Sequence, residues 1–186
     1  MEHSNAIEKV GTGLVCSLET FKGARIEIVK RLSGFNGLST YKYGQVRKIE
    51  IKTFQKSDKW IAINGMRAID KLFFEQDYWI YFVLLPENIV IATKGLAFIE
   101  HQCRLNRELK YLQKMKKLMV DTKNLAQETR FQLILKINVS FSVPMRKLTD
   151  NILKGEINDW DDAIIEIWEN KGEWKRLFLS EKYIEI

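Results

Sequence analysis

The segment Tyr78-Trp79-Ile80-Tyr81-Phe82-Val83-Leu84-Leu85 is apolar at every position. A strand with one wet face alternates apolar and polar side chains. An unbroken apolar strand is covered on both faces, as the central strand of a helix-flanked sheet is. At eight residues the run falls far short of the roughly 20 a membrane helix needs. It is the longest apolar run in the chain, so no membrane span is expected.

Around this run the pattern alternates between helix and strand periods, which predicts an α/β protein. Apolar positions Ile7, Val10, Leu14, Val15, Leu18 and Phe21 recur every three or four residues over 4–22, with Gly23 placed to end a first helix. Strands are predicted over 25–31, 38–43 and 46–53, separated by the turn chemistry of Gly34-Phe35-Asn36-Gly37 and by Gly44. A short strand edge at 60–63, a helix over 65–74 and a hairpin of 77–85 with 89–93 complete a core within residues 1–100. Residues 101–186 read as an α+β extension packed with that core. They comprise one long helix over 101–125, a long strand over 131–143 ended by Pro144, an amphipathic helix over 158–170 with Ile164, Ile167 and Trp168 inward, and terminal strands over 174–186.

Composition narrows the class. The 186 residues carry a formal charge of +6, which favours acidic partners such as nucleic acid. Cys16 and Cys103 stand alone, without zinc-cluster or disulfide-framework spacing. Such cysteine usage fits a reducing cytoplasm, and Met-Glu-His-Ser-Asn lacks the basic and apolar regions of a signal peptide. No GxxxxGK[ST] segment exists, which argues against a nucleotide-driven motor. The five tryptophans are scattered rather than interleaved with basic residues, so no single-strand stacking platform is indicated and most read as packing residues. Asp159, Asp161 and Asp162 read as capping and dipole compensation at a helix start, and His3 and His101 as bystanders.

The chemistry-bearing stretch is Arg47-Lys48-Ile49-Glu50-Ile51-Lys52-Thr53. Residues two apart in a strand share a face, so Glu50 and Lys52 emerge side by side. A carboxylate able to hold a divalent metal, beside a cation able to orient water, is half of a phosphodiester-cleaving site. With Gly34-Phe35-Asn36-Gly37-Leu38-Ser39 upstream, Ile49-Glu50-Ile51-Lys52-Thr53 ending the hairpin, and the aromatic strand beyond, residues 5–95 resemble the restriction-endonuclease-like, PD-(D/E)XK nuclease superfamily. The likeness is to its Mrr-like branch and to the C-terminal domain of NO VEIN-type proteins.

That resemblance implies a restriction-endonuclease-like core with a mixed central sheet. It further implies a magnesium- or manganese-dependent DNA endonuclease in which Glu50 and the Ile51 carbonyl ligate the metal and Lys52 positions the attacking water. The first acid of the family belongs at position 36, where this chain has Asn36, a catalytic and metal position that is one charge short. Three accounts stand side by side. Asn36 is an introduced Asp-to-Asn exchange; or the chain is a natural degenerate relative that binds without cutting; or another acid, Glu19 or Asp58, completes the site. A Gly-Glu pair that the family often shows in its first helix corresponds here to Gly11-Thr12, with Glu8 and Glu19 on the same helix as substitutes. Cutting both strands of a duplex needs two sites, so a homodimer is expected.

A basic face carrying Arg104, Arg107, Lys110, Lys114 and Lys117 is the expected grip on DNA phosphates; its plainer reading is a solvated surface. The alternative to an enzyme is a catalytically degenerate nucleic-acid-binding or protein-interaction subunit on the same fold.

Overall fold

The computed structural model describes residues 2–29, 33–55, 60–105, 107–156 and 163–180. Helix α1 (Glu2–Phe21) leads into β1 (Arg25–Ile28), β2 (Gly37–Thr40) and β3 (Val46–Gln55), an antiparallel meander. A short β4 (Ile61–Asn64) and α2 (Met66–Phe74) carry the chain across to β5 (Tyr78–Leu85), which pairs parallel to β3, and β6 (Ile89–Lys94) returns antiparallel. Then follow α3 (Gly95–Leu105), α4 (Leu109–Thr122), α5 (Gln127–Ile137), β7 (Ser140–Val143), α6 (Met145–Lys154), β8 (Glu166–Asn170) and β9 (Trp174–Leu179).

The result is an α/β architecture around a mixed seven-stranded sheet in the order β1-β2-β3-β5-β6-β8-β9, with β4 and β7 forming a separate two-stranded ribbon. Strand β5 lies in the middle and is buried from Tyr78 to Leu84, as its composition requires. Its side chains divide by parity. Trp79, Tyr81 and Val83 join Val15 and Leu18 of α1 on one face, while Tyr78, Ile80, Phe82 and Leu84 join the larger core beneath the later helices. The sheet does not end at residue 100, because β8 pairs with β6 and β9 extends it.

On α1 the inward stripe is Gly11, Val15, Leu18 and Glu19, while Val10 and Phe21 are exposed. Gly11 is required by closeness. A Cβ built there would lie 1.8 Å from the Thr53 hydroxyl, so the helix backbone rests directly on β3.

Three expectations for the second half are corrected. The long helix expected over 101–125 is two, because Arg107 adopts φ +60° and turns the chain between α3 and α4. The strand expected over 131–143 is mostly helix α5, which ends at a left-handed Asn138 before the short β7. The helix expected over 158–170 is strand β8 in its second half. Ala163 to Trp168 are all buried, so Ile164, Ile167 and Trp168 do point inward, but from extended chain. Residues 157–162, with the acidic cluster, and Asp58 lie outside the described residues. Cys16 and Cys103 are free thiols. No helix among the described residues is long and apolar enough to cross a membrane.

Candidate functional site

Strand β2 stops at Gly37, opposite Ile49, while β3 runs on to Gln55. The unpaired edge of β3 beyond Ile49 forms the floor of a notch. Its walls are α1, through Glu8 and Thr12, and the first turn of α2, through Gly65 and Met66, around a cleft of about 560 Å³. Glu50 and Lys52 both line this cleft, and the Lys52 ammonium lies 2.8 Å from Glu50 Oε1. Glu50 is 8 % exposed, so its carboxylate is held in one place with a cation beside it.

Asn36 sits at the corner. Its backbone N–H donates to the Ile49 carbonyl at 2.8 Å, and its side-chain Oδ1 accepts the Ile51 N–H at 2.6 Å. The amide thus does for Ile51 what the next residue of β2 would have done, and only an oxygen can accept that proton, which fixes the orientation of the side chain. In β3 the even residues bond toward β5, as Lys48 N–H to Asp77 O at 2.8 Å shows. The Ile51 carbonyl therefore faces the notch side, beyond the end of β2. Gly34 makes this corner possible: it has φ +79°, and a Cβ there would lie 2.9 Å from the Arg67 carbonyl of α2.

The two acids of α1 have different fates. Eleven residues apart, they lie on one side of the helix but about 16 Å apart along it. Glu8 reaches the notch. Glu19, expected among the metal ligands, lies on the other face of the sheet from Glu50. It is fully buried and accepts hydrogen bonds from Ser39 (2.5 Å), Tyr41 (2.7 Å), Tyr81 (2.8 Å) and Lys22 (3.0 Å). Lys22 and Arg47 also bind Glu166 of β8, at 2.8 and 2.6 Å. Burial alone would raise the Glu19 and Glu166 carboxyls. The two cations and the hydrogen bonds outweigh it, and Glu166 is held at about 2. This network ties α1, β3 and β8 together and leaves Glu19 no oxygen to offer the cleft.

The α2 terminus carries no sequence signal as a site element, and the sequence does not separate Glu8 from Glu19, because periodicity says which side of a helix faces the sheet but not how far along the sheet each turn lies. The α2 terminus has no side-chain cap at Gly65, and Gly65 and Met66 of that terminus border the cleft.

Arg104, Arg107, Lys110, Lys114 and Lys117 are all exposed, and none lines the cleft. Lys110, Lys114 and Lys117 share one side of α4.

Among the described residues, no three histidine, cysteine or acidic side chains gather as a metal cluster. The cleft offers the carboxylates of Glu50 and Glu8 with the neutral oxygens of Asn36 and Ile51, all hard donors. Such a sparse oxygen set suits magnesium, which keeps several waters and takes one or two protein carboxylates, and would not suit zinc. Compared with known protein families, with curated proteins and with solved structures, the chain matches none.

Proposed function

We propose that the notch is a phosphodiester-hydrolysing site of the restriction-endonuclease-like type and that the protein is a magnesium-dependent DNA endonuclease attenuated by Asn36. One observation carries this reading: Glu50, Lys52, the Ile51 carbonyl and Asn36 converge where β2 ends and β3 continues. The order of helix, three-stranded meander, helix and parallel strand supports the same superfamily core.

Glu50, Glu8, Asn36 and the Ile51 carbonyl would hold the ion, which when bound lowers the pKa of a water and neutralises phosphate charge. Lys52 would orient the attacking water toward phosphorus and offset the negative charge that develops on the phosphoryl oxygens. The α2 N-terminus receives a neighbouring phosphate oxygen. The new P–O bond forms from the water oxygen, which gives up a proton to solvent, while the bond to the departing sugar oxygen breaks and that oxygen leaves with a proton from solvent.

A second reading rests on Asn36 itself. With Oδ1 already accepting the Ile51 N–H, the side chain supplies no charge, and the site grips DNA without cutting it. Incubating supercoiled plasmid with wild type, Glu50→Ala and Asn36→Asp in magnesium or manganese separates the two. The endonuclease reading expects slow metal-dependent nicking by wild type, about tenfold faster in Asn36→Asp and absent in Glu50→Ala, a change of roughly 1.4 kcal/mol in barrier. Cleavage by Asn36→Asp alone assigns the disarmed reading, and cleavage by neither protein rejects the nuclease site.

A further inference from the structure

Trp60 is 61 % exposed, unlike Trp79 and Trp168, which are buried. A surface indole gives up much apolar area to water, so its setting is informative. Trp60 precedes β4, and with Tyr111 of α4 it flanks a groove of about 470 Å³ whose floor includes Ser140 and Ser142 of β7. Tyr111 is oriented there by Phe141 of β7, to which its ring packs edge-on at 6.1 Å. Trp60 has no ring contact or hydrogen bond of its own among the described residues.

The groove and the notch lie on one track. On the β4–β7 ribbon, Ala62 faces Ser142 and Asn64 faces Ser140, and all four are exposed. These small side chains make a flat surface, and Asn64 at its far end lines the Glu50 cleft. Four residues at about 3.4 Å each put Trp60 about 14 Å from Asn64, the length of about four stacked nucleotides. Lys114 lies one turn from Tyr111 on the same side of α4, with Lys110 beside it. Both are exposed and without an ion pair among the described residues. Glu108, at the groove wall, can accept from the exocyclic amine of a base.

From this juxtaposition we infer that the Trp60–Tyr111 groove stacks an unpaired nucleobase of a single strand that crosses the ribbon from the notch, with Lys110 and Lys114 on its phosphates. The preferred nucleic acid is therefore a duplex with a single-stranded extension. The direction of the strand rests on the notch being a phosphodiester site; the stacking does not.

The test is equilibrium binding of labelled duplexes to wild-type protein in chelator, where nothing is cut. The duplexes are blunt or carry a short unpaired deoxyribonucleotide or ribonucleotide tail. One stacked base is worth about 1–3 kcal/mol, so the tailed duplex should bind about 5- to 150-fold more tightly. Trp60→Ala should abolish that preference without changing blunt-duplex affinity, and Trp60→Phe should keep most of it; the exposed position makes either change harmless to folding. A tail of one sugar type alone showing the effect assigns the strand to DNA or RNA. Equal binding of tailed and blunt duplexes, or an undiminished preference in Trp60→Ala, overturns the inference. A Trp60-dependent tail preference in a protein that cleaves nothing even as Asn36→Asp keeps the groove and removes the nuclease reading of the notch.

Discussion

Asn36 Oδ1 accepts the Ile51 N–H at 2.6 Å, so one side chain both caps the end of β2 and sets the neutral corner of the cleft. The two roles separate by substitution. Asn36→Ala leaves the Ile51 N–H without its partner and should lower unfolding free energy by about 1–3 kcal/mol. Asn36→Asp keeps an acceptor in place, so in chelator its urea midpoint should stay near that of wild type. In millimolar magnesium it should rise further than wild type does, since an ion bound only to the folded state stabilises it. Equal midpoints for all three proteins in chelator would show that the amide does not close the strand end.

Acid should unfold the protein through its buried network. Glu166 titrates near 2 in the folded state against 4.5 when freely solvated, because Lys22 and Arg47 overcome the cost of its burial. A depressed carboxyl contributes stability that is present above pH 4.5 and is lost as pH falls toward 2, on the order of 3 kcal/mol for this shift. Glu19 is shifted in the same direction. Urea titrations from neutral pH downward should show a steep acid limb. In Glu166→Gln that limb should flatten, while stability at pH 7 drops by about 3–5 kcal/mol as Arg47 and Lys22 lose a buried counter-charge. A mutant limb as steep as the wild type's would place the acid sensitivity elsewhere.

Gly11 should resist even a methyl group. Alanine favours a helix by about 1 kcal/mol over glycine, but here its Cβ would overlap Thr53. Overpacking of about 1–3 kcal/mol should win, making Gly11→Ala destabilising in chemical denaturation. Adding Thr53→Ala should recover part of the loss, and strictly additive effects in that double-mutant cycle would contradict the contact.

What the sequence reveals follows physical reach. The buried β5 is legible because covering a strand on both faces leaves an unbroken apolar run, and the shared face of Glu50 and Lys52 is legible because strand parity is local. Helix α5 is misread because Phe131, Leu133, Leu135 and Ile137 alternate like a strand; yet only Ile134 is buried, so the alternation reflects no covered face. Strand β8 is misread because Ile164, Ile167 and Trp168 have helical spacing, although the whole run from Ala163 is buried. The choice between Glu8 and Glu19 depends on where α1 sits along β3. That is set by the contact of Gly11 with Thr53, which no periodicity encodes.

Strand β8 takes its place beside β6 only after more than seventy intervening residues, and Glu166 arrives with it to neutralise Arg47. On a ribosome, the nascent chain up to Lys94 thus carries a naked strand edge and an arginine awaiting its counter-ion. Such an edge invites pairing with other chains. Contacts this distant also close slowly. Completion of the sheet is thereby tied to synthesis of the distal third of the polypeptide, and a fragment cut after the first hundred residues would keep Glu50 and Lys52 on a sheet whose β6 edge stays open.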